Sequence, residues 1–133
     1  GCDGALREAG LRMSPALQVD ADSSEQSGYD AARTLIGRGH AFDAIFAASD
    51  LIAIGAIRAL TEHGLRVPED VAIVGFDGTP MARFSNPPLT TVVQDTSGAG
   101  ELLVASLLRL VRDEPAESVT LMPTLEVRAS SGG

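Results

Sequence analysis

The chain has 133 residues, a length that fits one domain with a hydrophobic core of its own. Its formal net charge is −8 and all ten basic residues are arginines. This composition excludes a P-loop or Schiff-base lysine and makes contact with nucleic acid phosphates unfavourable. Cys2 is the only cysteine, so no intrachain disulfide forms, and no apolar run approaches the length of a membrane span.

The first part of the chain alternates helical patterns with short apolar runs. The run at 71–74 is apolar without alternation, which is typical of a strand covered on both faces in a parallel sheet. Gly64 can take a positive φ and so ends the preceding helix, while Ser23 and Gln26 fit a capping box at the start of an earlier one. This alternation predicts an α/β fold with a parallel sheet flanked by helices. The predicted elements are helix 3–9, strand 16–19, helix 25–38, strand 44–48, helix 51–63 and strand 71–76.

The pattern changes after Asp77, at the end of the third predicted strand. Residues 78–91 are predicted to form an irregular loop, because the adjacent prolines Pro87 and Pro88 forbid a helix and favour an extended connection. The remaining predicted elements are an extended segment at 90–94, an amphipathic helix at 97–113, a strand at 119–128 interrupted by Pro123, and a tail at 130–133.

Carboxylates follow several of the predicted strands, namely Asp20, Asp22, Asp50 and Asp77. A metal-dependent hydrolase would place carboxylates there, but no histidine lies at ligand spacing from them, and helix capping explains Asp50. No nucleophile motif or nucleotide-binding glycine pattern is complete, so we predict no catalytic residue, no metal and no cofactor. Two interpretations of Asp77 remain open. It is either a ligand-binding residue at a strand's carboxyl end or an Asx-turn residue before Gly78.

Five stretches of the sequence together resemble the LacI/GalR family of bacterial transcriptional regulators. They are SGYDAA at 27–32, AASDLIAIGA at 47–56, GLRVPEDVAIVGFD at 64–77, PPLTTVVQ at 87–94 and LMPTLEVR at 121–128. The resemblance implies a periplasmic-binding-protein-like core of two lobes that binds a small-molecule effector. It also implies a helix-turn-helix domain outside this chain that binds operator DNA. Residues 1–93 would form most of the C-terminal lobe, residues 94–119 would cross into the N-terminal lobe, and residues 120–133 would return.

The same resemblance assigns effector contacts to positions of this sequence. Asp77 matches an acidic residue that binds an effector hydroxyl, and Gln94 matches a contact on the crossing segment. Ser49 matches a position that is usually asparagine, and Ser23 falls near a position where a ring stacks on the ligand. Gly78 departs from the family, which usually has an acidic residue there. The implied effector is sugar-like, although aromatic residues, on which sugars normally stack, are only 4% of the chain.

A homodimer is the second partner that we expect. The helix predicted at 51–63 is apolar on nearly every side, whereas a sheet can cover only one side of it. An isologous contact between two copies would cover the remainder. The expected interface residues are Leu51, Ile54, Ile57, Arg58, Met81 and Phe84.

The fold is expected to be incomplete at its N-terminus. A sheet of β-α units should begin with a strand, yet the first predicted element is the helix at 3–9. By the family pattern, the missing strand would lie between the strands predicted at 16–19 and 44–48.

The expected function is therefore the effector-sensing part of a cytoplasmic LacI/GalR-type repressor, which is not an enzyme. It would reach operator DNA through the absent domain and not through these residues. Two alternatives remain: an exported sugar-binding protein of a transporter, and a metal-dependent hydrolase that uses the strand-end carboxylates.

Overall fold

The structure, a computed structural model, describes residues 2–133. Helices and strands alternate from residue 25 to residue 77, as the sequence pattern predicts. In order, the elements are α1 Cys2–Glu8, a 3-10 turn Pro15–Leu17, α2 Glu25–Gly37, β1 Ala44–Phe46, α3 Asp50–Glu62, β2 Ala72–Asp77, α4 Met81–Phe84, β3 Thr90–Val93, α5 Thr96–Val111, β4 Thr124–Glu126 and a second 3-10 turn Ala129–Ser131.

The strands form one mixed sheet in the order β1-β2-β3-β4. β1, β2 and β3 are parallel to one another, as predicted, but β4 runs antiparallel to β3. Thr124 pairs with Val93, the last residue of β3, so the chain re-enters the sheet at the edge where it left. The antiparallel last strand makes the sheet mixed, and the predicted α/β class is confirmed.

The core lies where α3 packs on the sheet. Ala53, Ala59 and Leu60 of α3 are each 0% exposed, as are Ile73 of β2 and Leu89 just before β3. α3 is buried on more than one side because it packs against α2 as well as against β2. Burial of aliphatic side chains at about 25 cal/mol per Å² is the main favourable term for such a fold.

Two glycines allow α2 and α3 to pack with their backbones in contact. A Cβ atom on Gly28 would lie 2.1 Å from the carbonyl oxygen of Ile52, and one on Gly55 would lie 1.9 Å from that of Glu25. Any other residue at either position would force the helices apart, since real Cβ atoms do not approach a backbone oxygen so closely. The contact brings the N-terminus of α2 beside the first half of α3.

The segment predicted as a strand at 16–19 does not join the sheet, so that prediction was wrong. Its residues form a 3-10 turn followed by extended backbone at Gln18. Nη1 of Arg38, at the end of α2, donates to the carbonyl oxygens of Ala16 and Gln18 at 3.0 and 2.8 Å. These carbonyls thus bind a side chain in place of a neighbouring strand.

Three local predictions also need correction. Ser24, not Ser23, caps α2, because its Oγ accepts from the backbone N–H of Ser27 at 3.1 Å. The predicted loop at 78–91 contains the one-turn helix α4. The predicted tail begins within the second 3-10 turn, in which Ser130 Oγ donates to the carbonyl oxygen of Ile73 at 2.6 Å.

A cleft of about 640 Å³ lies beside β1, on the edge that does not pair with β2. Residues from α1, the first 3-10 turn, α2 and β1 line it, among them Leu6, Leu17, Leu35 and Ile45. Phe46 of β1 is 53% exposed. The cleft therefore separates β1 from the segment around residues 16–19, which is the place where the sequence predicts a missing strand.

Helix α5 packs against little of the rest of the chain. None of its residues is buried, and three of its apolar side chains, Leu103, Leu107 and Val111, are more than 60% exposed. Asp95 caps it by accepting from the N–H of Gly98 at 2.8 Å. No helix among residues 2–133 combines the length and the hydropathy that a membrane crossing needs.

Candidate effector-binding site

The carboxyl ends of three parallel strands meet at one edge of the sheet. Ser49 lies shortly after β1, Asp77 is the last residue of β2, and Gln94 follows β3 directly. Asp77 pairs with Val93, so Gln94 leaves the sheet at the level of Asp77. Ligands of α/β sheets bind at this edge, and the structure thus brings three of the predicted effector residues to it.

Asp77 has an unusual backbone, with φ at +112°. This value lies in the region that side chains disfavour, and such a conformation persists only where neighbouring contacts impose it. The carboxylate of Asp77 is exposed and takes part in none of the hydrogen bonds found among residues 2–133. Desolvation by the surrounding protein atoms raises the pKa of Asp77 above its ordinary value, and the negative charge of Asp50 raises it further.

The Asx-turn interpretation of Asp77 is wrong. An Asx turn needs the Asp77 carboxylate to accept the backbone N–H of Thr79, two residues on. That N–H instead donates to Oδ2 of Asp50 at 2.6 Å. The turn after β2 is therefore stabilised from α3, which leaves the Asp77 carboxylate available to a ligand.

Asp50, the first residue of α3, is 0% exposed and forms the centre of a polar cluster. Its Oδ2 accepts from N and Oγ1 of Thr79 at 2.6 and 2.9 Å, and its Oδ1 accepts from Oγ1 of Thr91 at 2.5 Å. The sequence predicts a helix cap at Asp50 and gives no indication of these contacts. Within the sequence, the glycine at position 75 of a predicted strand is the one sign of a group packed closely against it. A Cβ atom on Gly75 would lie 2.5 Å from Oδ1 of Asp50.

Ser49 caps α3 and is only 4% exposed. Its Oγ accepts from the backbone N–H of Ile52 at 3.3 Å, which leaves the hydroxyl proton for one further hydrogen bond. Ser49, rather than Asp50, is therefore the cap of α3. With its hydroxyl engaged and largely covered, Ser49 offers an effector less than the exposed carboxylate of Asp77 does.

Ser23 is exposed and lies two residues before α2. Since Glu25 contacts Gly55, the start of α2 lies against the first half of α3. Ser23 lies in the segment that leads into this contact. Gln94 is also exposed and precedes Asp95, the cap of α5.

The expected interface residues divide by exposure. Phe84 and Met81 of α4 are 82% and 54% exposed, and the Arg58 side chain is 77% exposed. Leu51 and Ile54 are half-buried. Ile57 is only 5% exposed within the chain, so a substitution there would probe folding rather than association.

The described part of the chain contains no set of side chains that could bind a metal ion. Nowhere in residues 2–133 do three or more His, Cys, Asp or Glu side chains converge on a point where an ion could be held. The carboxylates of Asp50 and Asp77 lie on separate elements, and Asp50 is already engaged by Thr79 and Thr91.

The fold and the polar edge define a ligand-binding α/β domain. A family model described as a periplasmic binding protein-like domain matches residues 1–131, and the chain belongs to that family.

Three proteins similar to this chain are transcriptional regulators. The HTH-type transcriptional repressor PurR of Pasteurella multocida (strain Pm70) is 34% identical over 128 residues, which are 95% of this chain and 38% of the relative. A solved transcriptional regulator CelR–cellobiose complex is 39% identical with a TM-score of 0.90, and the match covers 96% of this chain and 40% of that one. A solved lac repressor dimer bound to operator and an anti-inducer is 32% identical with a TM-score of 0.89. That match covers 96% of this chain and 38% of the repressor chain.

These similarities confirm the resemblance to LacI/GalR-type regulators that the sequence motifs indicate. The chain spans about two fifths of the length of the relatives that it matches.

Proposed function

We propose that this chain is the effector-sensing portion of a LacI/GalR-type transcriptional repressor and that it is not an enzyme. One observation carries the proposal. Asp77 is held at the carboxyl edge of the sheet in a positive-φ conformation, and Asp50 binds the turn that Asp77 would otherwise bind itself. Such a repressor works in the cytoplasm, where its operator lies.

The effector that fits this edge is a small polyhydroxylated molecule, such as a sugar. A carboxylate accepts two hydrogen bonds from adjacent hydroxyl groups, and charge-assisted bonds of this kind are the stronger ones. Gln94 adds an amide that donates and accepts, and Ser23 adds a hydroxyl. Among the relatives, the CelR structure holds a disaccharide, cellobiose, which makes cellobiose the first ligand to test.

Regulation would work by a shift between two arrangements of the lobes. In this proposal, residues 1–93 form most of one lobe, residues 94–119 belong to the other, and residues 120–133 return. The exposed leucines of α5 support this division, since a helix with no buried residue needs a partner outside the described chain. An effector that binds the closed arrangement more tightly would change the affinity for operator DNA.

The functional test uses the intact gene product and its own upstream promoter DNA. We expect operator binding in fluorescence anisotropy that cellobiose or another sugar from a panel strengthens or releases. A promoter complex that no sugar in the panel alters, together with no sugar binding by calorimetry, would contradict the proposal.

Replacing Asp77 with asparagine should weaken sugar binding by about 1.5–3 kcal/mol, the size expected for hydrogen bonds to a charged group. Because the pKa of Asp77 is raised, wild-type affinity should also begin to fall at a higher pH than for an ordinary aspartate, as protonation removes the acceptor. Isothermal titration calorimetry as a function of pH measures both effects. Asp43→Asn is the control, because Asp43 lies before β1 at the opposite edge of the sheet. Equal affinity of wild type and Asp77→Asn would remove Asp77 from the site.

The described residues should not bind DNA. The formal net charge is −8. Six of the ten arginines already lie within 4.0 Å of a carboxylate, namely Arg7, Arg58, Arg66, Arg83, Arg109 and Arg128. Cation contacts to phosphates dominate non-specific affinity, and few cations remain for them. Anisotropy titration of the 133-residue chain against promoter and random duplex at low salt should stay flat. Micromolar binding at physiological salt would refute this expectation.

We also propose a homodimer that uses the exposed side chains of α4 together with Arg58 of α3. The lac repressor relative is a dimer, and Phe84 and Met81 provide the apolar area that an isologous contact would bury. In the intact protein, Phe84→Glu should convert dimer to monomer in analytical ultracentrifugation. Met122→Glu is a matched control, because Met122 is likewise 82% exposed but lies just before β4. A Phe84→Glu protein that stays dimeric at micromolar concentration would place the interface elsewhere.

A further inference from the structure

Asp50 is a buried carboxylate without a basic partner. It is 0% exposed, and none of the ion pairs found in residues 2–133 includes it. Burying a charged group in this way is costly unless hydrogen bonds replace its contacts with water. A fold that needed only a helix cap at this point has one already in Ser49. The cost of Asp50 therefore calls for a role beyond capping.

The hydrogen bonds of Asp50 join three separate segments. Thr79 donates to Oδ2 from the turn that follows Asp77, and Thr91 donates to Oδ1 from β3. Oγ1 of Thr91 in turn accepts from the backbone N–H of Gly78 at 3.2 Å. Both residues that follow Asp77 are thus connected to Asp50, Thr79 directly and Gly78 through Thr91.

The connections reach the candidate effector residues through short lengths of chain. Ser49 is adjacent to Asp50, Asp77 is followed directly by the two residues that the cluster holds, and Gln94 lies three residues after Thr91. Packing confines the carboxylate as well. A Cβ atom on Gly75 would lie 2.5 Å from Oδ1 of Asp50 and 2.9 Å from Leu89, so only glycine leaves room for this arrangement.

We propose that Asp50 is the positioning residue of the effector site, whose carboxylate fixes the turn after Asp77 and ties α3 to the strand that leads into Gln94. The proposal rests on the proposed function of Asp77. Asp50 holds Asp77 in its positive-φ conformation through Gly78 and Thr79, and its charge also acts on the Asp77 carboxylate. Thr79 and Thr91, which donate to Asp50, are uncharged, so Asp50 is the charged group of this cluster that acts on Asp77.

Asp50→Asn tests both parts of the role in the intact gene product labelled with ¹³C-aspartate. The carboxyl shift of Asp77, followed against pH by NMR, should show a midpoint about half a pH unit lower than in wild type, because one negative charge has been removed nearby. Amide exchange at Gly78 and Thr79 should be about fivefold to tenfold faster, the change expected when one hydrogen bond is lost. Asp43→Asn, at the opposite edge of the sheet, should change neither quantity.

Thr91→Val separates geometry from charge and decides the matter if Asp50→Asn fails to fold. Valine keeps the shape of threonine but breaks the link from Gly78 to Asp50. We expect faster amide exchange at Gly78 with an unchanged Asp77 midpoint, since the Asp50 charge remains. An unchanged Asp77 midpoint and unchanged exchange in Asp50→Asn would overturn the proposal. In the absence of a folded Asp50→Asn protein, unchanged Gly78 exchange in Thr91→Val would do the same.

Neither measurement needs an effector, so the outcome is independent of the sugar assay. A protein that shows the expected shifts but binds no sugar would leave Asp50 as the residue that fixes this turn. The proposed function of the site would then be wrong by itself.

Discussion

A single added methyl group at Gly55 should lower the free energy of unfolding by about 3 kcal/mol or more, or prevent folding. The Cβ atom of alanine would lie 1.9 Å from the carbonyl oxygen of Glu25 and 2.8 Å from the backbone nitrogen of Tyr29. Both obstacles are backbone, so no rotamer change can relieve them. Overpacking a core typically costs about 1–3 kcal/mol. The cost of Gly55→Ala should lie at or beyond the upper end of that range.

The clash could be relieved only if α2 and α3 moved apart. Such a movement would disrupt the core, because both helices contribute buried residues to it. α3 carries eight buried residues, and α2 contributes Ala32 at 1% exposure. Urea unfolding followed by circular dichroism measures the effect. Gly100→Ala is a matched control, because Gly100 also lies inside a helix but has nothing within 4 Å of its Cβ position. The control should gain about 0.5–1 kcal/mol from helix propensity, and an equally mild effect at Gly55 would contradict the close packing.

The parts of the fold that the sequence predicts well are those fixed by local pattern. The apolar runs at 44–48 and 71–76 contain β1 and most of β2, and Gly64 follows the end of α3 with φ at +75°. Buried parallel strands and glycine helix stops have signals within a few residues. A cap on α3 is predicted from the same kind of local signal, since Ser49 and the N–H of Ile52 lie three residues apart.

Predictions fail where a distant residue decides the local structure. Residues 16–19 have the composition of a strand, but Arg38 binds their carbonyl groups from the end of α2. The role of Asp50 depends on Thr79 and Thr91, which are 29 and 41 residues away. A short stretch of sequence gives no information about contacts between residues so far apart. The sequence thus points to Asp77, the exposed residue of the candidate site, and not to Asp50, the buried residue that binds the turn after it.

The cleft beside β1 leads to the second large expected effect. Backbone groups alternate along a strand, and the N–H of Ala47 already donates to Val74 in the neighbouring strand at 2.9 Å. The N–H of Phe46 therefore points to the other side, into the cleft of about 640 Å³. Unpaired backbone beside exposed apolar side chains is the arrangement that accepts a further strand. We expect a segment outside residues 2–133 to fill the cleft in the intact protein.

Amide exchange at two adjacent residues tests this expectation. In the isolated 133-residue chain, the Phe46 amide should exchange at least about a hundredfold faster than the Ala47 amide, because a strand supplies a partner only to the second. In the intact protein both amides should be protected, since the added strand would accept from Phe46. Ala47 serves as the internal control for global unfolding in each sample. Strong protection of Phe46 in a monodisperse monomer of the isolated chain would show that the sheet closes on this side without any further strand.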